Sequence, residues 1–211
     1  MLLSIILTII LLVIFITGLH NFNYPALLGL FLLIIGSSYY TSRSYIKKSP
    51  DKEALITKIY PRWVLVFYFF FLFSLTFSIN RTSAGITFGS GSLRTRFLAK
   101  ANLIPFKTIR GMLRSKHFSS YAFFNIIGNI GALMPLGFLF PIVFPKARRL
   151  LPYTLMIIGV ILFIESVQFL FGVGKPDIDD LILNLAGAIP AFLIYSAYTG
   201  RKTGEDYQYL F

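Results

Sequence analysis

Six apolar runs, each near the ~20 residues a helix needs to cross a bilayer, alternate with short polar segments along this chain. They fall at about 2–19, 24–42, 62–79, 122–144, 150–172 and 178–198. A run such as Leu2 to Leu12 lacks the strict alternation of a membrane strand, so a closed barrel is not indicated. The pattern predicts an all-α, polytopic integral membrane protein, with about six transmembrane helices in a bundle. Three segments follow: 1–61 with two helices and a basic cytoplasmic loop, 62–198 as the main transmembrane domain, and 199–211 as a short polar tail.

Composition agrees. Hydrophobic residues make up 56% of the 211 and charged residues 13%, against about 25% charged in soluble domains. There is no cysteine, which excludes disulfides, thiolate metal sites and a cysteine nucleophile. Residues 1–19 have no basic n-region, and Thr17-Gly18-Leu19-His20 is a poor cleavage site, so a retained first helix is expected.

Charge gives the orientation. No Lys or Arg lies between spans one and two. Arg43, Lys47, Lys48, Lys52, Lys58 and Arg62 lie between spans two and three, Lys146, Arg148 and Arg149 between four and five, and Arg201 and Lys202 after six. The positive-inside rule places those groups, and both termini, in the cytoplasm. The connection 80–121 carries Arg81, Arg94, Arg96, Lys100, Lys107, Arg110, Arg114 and Lys116 with no acid. On this topology it faces outward, as a solvated connection or as a collector of an anionic lipid or cell-wall precursor. No stacking motif points to nucleic acid. Within it, Asn102 is placed to turn the backbone before the apolar Ile104-Pro105-Phe106.

Glu165 is the acidic residue that falls inside an apolar span, and an intramembrane carboxyl is a functional-site candidate. Gln168 shares its helix face. Asn125 and Asn129 share a face of span four, as do Asp180 and Asn184 of span six. At ~1.5 Å per residue, Asn125, Asn129, Glu165, Gln168 and Asn184 fall roughly 5–11 Å below one membrane surface. Asp177, Asp179 and Asp180 sit above them, with Asp177 suited to cap the sixth helix. Close helix approach is expected at Gly128, Gly131 and Gly137, and bending at Pro135 and Pro141. Carboxylates and amides would suit Mg²⁺ or Ca²⁺ better than zinc, but no metal or other cofactor is assigned. Neither His20 nor His117 has metal-ligand spacing, and no P-loop or G-x-S-x-G element occurs.

Asn102-Leu103-Ile104-Pro105-Phe106, Asn125-x-x-Gly128-Asn129, Pro135-Leu136-Gly137, Glu165-x-x-Gln168 and Asp177-Ile178-Asp179-Asp180-Leu181-Ile182-Leu183-Asn184-x-x-Gly187 occur in that order. This ordered set resembles the VanZ-like membrane protein family over about 62–198. The family usually carries arginine three residues before the first aspartate, where this chain has Gly174 beside Lys175. The resemblance implies a bacterial cell-envelope protein, in a family named for teicoplanin resistance, and supplies no reaction. The expected function is an outward-facing intramembrane pocket that binds or modifies an envelope or lipid-linked component. Glu165, Asp179 and Asp180 are its candidate acids, and Asn102, Asn125, Asn129, Gln168, Asp177 and Asn184 its ligand-facing groups. A proton- or cation-coupled transporter and a non-catalytic interaction protein are the alternatives.

Overall fold

The computed structural model describes residues 2–18, 24–78, 92–114, 120–172 and 174–203. His20, Arg81, Lys116, His117 and the tail from 204 lie outside that set. The described residues are helical apart from turns and one isolated bridge. The chain divides into two compact units, Met1–Thr82 and Ser83–Phe211.

The first unit contains α1 (Leu2–Gly18), α2 (Tyr24–Lys48), a 3₁₀ turn (Pro50–Lys52) and α3 (Glu53–Ser78). Most of the basic segment expected to be a connection is helical. Lys47 and Lys48 close α2, where cations suit the negative helix end, and Ser49-Pro50 then breaks the run. Lipid tails are as apolar as leucine, so van der Waals fit rather than water exclusion must hold these helices. Aromatic rings provide it. Phe15 of α1 meets Phe67 and Phe71 of α3 at 5.4 and 6.3 Å. Phe31 of α2 stacks on the same two at 5.3 and 4.4 Å. Each pair contributes about 0.5–1.5 kcal/mol beyond its buried area.

The second unit contains α4 (Leu93–Lys100), α5 (Lys107–Arg114), α6 (Ser120–Ala132), α7 (Leu136–Val143), a 3₁₀ turn (Pro145–Arg148), α8 (Leu150–Leu170) and α9 (Ile178–Thr203). The connection 80–121 thus carries two short helices. Span four is split at Leu133–Pro135, because Pro135 has no N–H to continue the ladder. Close approach occurs at Gly137 and Gly187. A Cβ on Gly137 would lie 2.6 Å from the Ala191 Cβ, and one on Gly187 only 1.8 Å from the Ile130 carbonyl oxygen. Gly128 and Gly131, also expected to serve this purpose, have open space where a Cβ would stand. Tyr153 of α8 is fully buried, stacks on Phe192 at 4.4 Å and donates its hydroxyl to the Ala188 carbonyl at 2.9 Å.

Among the described residues five helical stretches, with α6 and α7 taken together as one, are long and apolar enough to span a membrane; α1, also apolar, is shorter. The protein is an all-α polytopic membrane protein.

Candidate functional site

The polar residues of the second unit form three groups around the N-terminus of α9. The first is a clasp. A parallel bridge joins Asn102 to Asp177: the Asn102 N–H donates to the Pro176 carbonyl, and the Ile178 N–H to the Asn102 carbonyl, both at 2.9 Å. The Asn102 amide donates to Asp177 Oδ1 at 2.8 Å, and the Thr108 hydroxyl to Asp177 Oδ2 at 2.6 Å. Asp177 Oδ1 also accepts the Asp179 N–H at 3.1 Å, the geometry of a helix N-cap. Burial raises the Asp177 pKa. The hydrogen bonds from Thr108, Asn102 and the Asp179 N–H, with the Lys175 charge, outweigh it and hold this carboxyl below the usual range.

Asp179 is wholly buried, and it caps a helix other than its own. Its carboxylate accepts the N–H groups of Thr108 and Ile109 at 2.7 and 3.1 Å and that of Phe106. An eight-residue helix is marginal alone, and this anion satisfies donors in the first turn of α5 that have no intrahelical partner. Phe106 adopts a left-handed φ of 63° to reach it, a conformation that costs a residue with a Cβ about 1–2 kcal/mol.

The second group closes α8. Gly172, at φ 71°, turns the chain. Arg96 of α4 donates through Nη2 to the Phe169 carbonyl at 2.9 Å, and its guanidinium lies 5.1 Å from the Phe169 ring centre. A cation there complements the helix dipole. The Nε of Arg96 is buried and has no partner among the described residues.

The third group holds the membrane-depth acid. Glu165 lies one turn before Phe169, and its Oε1 is likewise buried without a partner among the described residues. The carboxylates of Asp180 and Asp177 act on it electrostatically, and so does the Asp177 backbone N–H as a hydrogen-bond donor. Asp180 Oδ1 in turn accepts the Asn129 amide at 2.7 Å, tying α9 to α6.

Of the residues singled out in the sequence, the structure therefore joins Asn102 with Asp177, Asp179 with the α5 backbone, and Asn129 with Asp180. Glu165 stands beside this last pair. Asn184 donates to the backbone carbonyl of Asp180 in its own helix at 2.8 Å, so its amide is used locally. Gln168 packs where a Cβ on Gly174 would stand, 2.9 Å from its own Cβ. Asn125 joins no hydrogen bond shown for the described residues. Sequence reasoning did not single out Thr108 or Arg96. Thr108 carries no motif, and Arg96 is one of eight cations in its connection.

No curated protein and no solved structure matches this chain. The VanZ/LLP1 family model, by contrast, matches residues 64–199, more than half of the 211. That stretch contains Asn102, Asp177, Asp179, Asp180 and Glu165 together, and on it the chain belongs to the VanZ/LLP1 family.

Proposed function

We propose that the chain is a bacterial plasma-membrane protein of the cell envelope, with both termini cytoplasmic. Its polar site beside α8 and α9 opens outward and binds an envelope or lipid-linked component. Glu165 is the acceptor offered to that ligand, and the Asn129–Asp180 pair forms the adjoining wall. Asp177, Asp179 and Asn102 hold the rim together rather than touch the ligand, because their polar atoms already bond α5 and α9. The exposed cations Arg94, Lys100, Lys107 and Arg110 draw in an anionic group. Altered teicoplanin susceptibility is the phenotype expected from the family resemblance.

One observation supports this reading above the others: the buried, unpartnered Oε1 of Glu165 at membrane depth. The Asp177 backbone N–H acts on this carboxyl, but Oε1 meets no donor among the described residues, and leaving a buried acceptor unpaired costs about 1–3 kcal/mol. The test compares cells expressing wild type with cells expressing Glu165→Gln at equal abundance, by teicoplanin susceptibility and lipid-precursor profile. The variant is expected to behave as the empty vector. Identical profiles for the two proteins would reject the role given to Glu165.

A further inference from the structure

The first unit carries a second feature, independent of the reading above because it uses no residue of the second unit. α1 and α3 both pack on α2. Beside the C-terminal half of α2, a groove of about 570 Å³ remains between their N-terminal halves, within the range of about 300–1,000 Å³ seen for ligand sites. Its deep end is lined by Trp63, whose ring stacks on Phe67 at 5.5 Å, and Phe15 packs on Phe67 in turn. Its shallow end is Lys52 in the 3₁₀ turn.

We propose that this groove binds one anionic phospholipid of the bilayer, with its phosphate at the Lys52 ammonium and an acyl chain along Ile9, Ile56 and Ile59. Dimensions argue first. From Lys52 to Trp63 is eleven residues, about 17 Å of helix, or about half of the ~30 Å hydrocarbon core. The groove therefore runs the depth of one leaflet, from the connection inward.

Wall chemistry argues second. Three of the hydroxyls along the groove turn back to carbonyls of their own helices: Thr8 to Ser4 at 2.8 Å, Ser38 to Ile35 at 2.9 Å, and Thr41 to Ser37 at 2.8 Å. These side chains thus offer carbon to the groove.

Charge argues third. Lys52 Nζ donates to the Tyr45 hydroxyl at 3.1 Å and lies 5.7 Å from that ring's centre. An ammonium has three donors, so others remain for phosphate. Asp51 and Glu53 flank Lys52, but Arg43, Lys47, Lys48, Lys58 and Arg62 leave the surrounding segment net positive, which favours an anionic over a zwitterionic headgroup.

The experiment uses the full chain in nanodiscs of phosphatidylcholine, with and without phosphatidylglycerol, followed by gentle delipidation and native mass spectrometry. Wild type is expected to retain one phosphatidylglycerol in preference to phosphatidylcholine. Lys52→Gln, an exposed change that leaves the packing alone, should lower that retention about tenfold, the scale of a charge-assisted contact. Lys48→Gln makes the same charge change outside the lining and should leave retention within about twofold, as for a screened surface charge. Ile59→Trp fills the groove and should abolish retention of either lipid. Equal retention of the two lipids by wild type would overturn the proposal. So would equal loss from the two lysine variants. A wild-type dimer that Ile59→Trp disperses would give the groove to a second copy, and would overturn it as well.

Discussion

The two units of this chain solve the same problem, packing helices in lipid, with different chemistry. In the first unit, side-chain hydroxyls bond within a helix or to the next one, as Thr8 does with Ser37 at 2.9 Å, and interlocked phenylalanines supply the fit. In the second, polar side chains join positions far apart in sequence: Asn102 to Asp177, Thr108 to Asp179 and Asn129 to Asp180. Local bonds satisfy hydroxyls inside helices that would form anyway. Distant ones decide which segments meet, and they surround the α8 carboxyl of Glu165. On the function proposed above, the first unit would serve packing and lipid contact and the second would hold the ligand site.

The largest expected effect tests how tightly each unit is closed. Gly187→Ala would drive a Cβ to 1.8 Å from the Ile130 oxygen, so α6 and α9 must separate. Overpacking of this kind should cost about 3 kcal/mol or more. Gly36→Ala in α2 meets open space and should be neutral or stabilise by about 0.5–1 kcal/mol, because alanine restricts the unfolded chain. Unfolding in mixed micelles, followed by circular dichroism, measures both. Similar losses for the two would remove the distinction between close and open crossings.

The legible part of this architecture is what the bilayer dictates. Its thickness imposes the length of each apolar run, so all six spans could be read to within a few residues, except where α2 and α3 continue as charged helix and where span four divides into α6 and α7. Asp177 was readable as an N-cap because the cap's donors lie in its own helix. Asp179 was not readable as the cap of α5, because its donors are backbone N–H groups some seventy residues away that no side chain marks. Gly187 was opaque for the same reason: the atom it makes room for is the carbonyl of Ile130. Glu165 was conspicuous because a carboxyl in an apolar run violates the local rule, and such violations gather at functional sites.

The clasp provides the next test. Asp179→Asn keeps the shape but removes the charge and one of the two acceptor oxygens, so the N–H groups of Phe106, Thr108 and Ile109 cannot all be satisfied. A loss of about 2 kcal/mol is expected, localised as faster amide exchange across α5. Exchange in α1 to α3 should not change. A uniform rise through both units would mean that the clasp supports the whole fold.

Acid should act on the same joint more mildly. The Asp177 carboxyl sits below its ordinary value of 3.8 in the folded chain, so its stabilising contribution is complete above that value. It disappears as pH falls through the lower, folded one. The protection factors of the Asn102 and Ile178 amides, with the intrinsic pH dependence of exchange divided out, should therefore be flat from neutrality to about pH 4 and fall only below it. Asp177→Asn should remove that acid step. A step centred well above the ordinary carboxylate range would contradict the hydrogen-bonded geometry.

The smallest expected effect is the most discriminating between units. Thr41→Val in α2 removes a hydroxyl whose partner, the Ser37 carbonyl, lies in the same helix, so stability should change by no more than about 0.5 kcal/mol. Thr108→Val makes the same isosteric exchange where the hydroxyl donates to the Asp177 carboxylate, and should cost about 1.5 kcal/mol or more. Because valine preserves the threonine shape, the difference isolates the reach of the bond from the packing around it. Thr41→Val also leaves the groove walls in place, so phosphatidylglycerol retention should persist. Equal costs at the two threonines would mean that local and distant hydroxyls stabilise this protein alike, and the division of labour between its units would then rest on Glu165 alone.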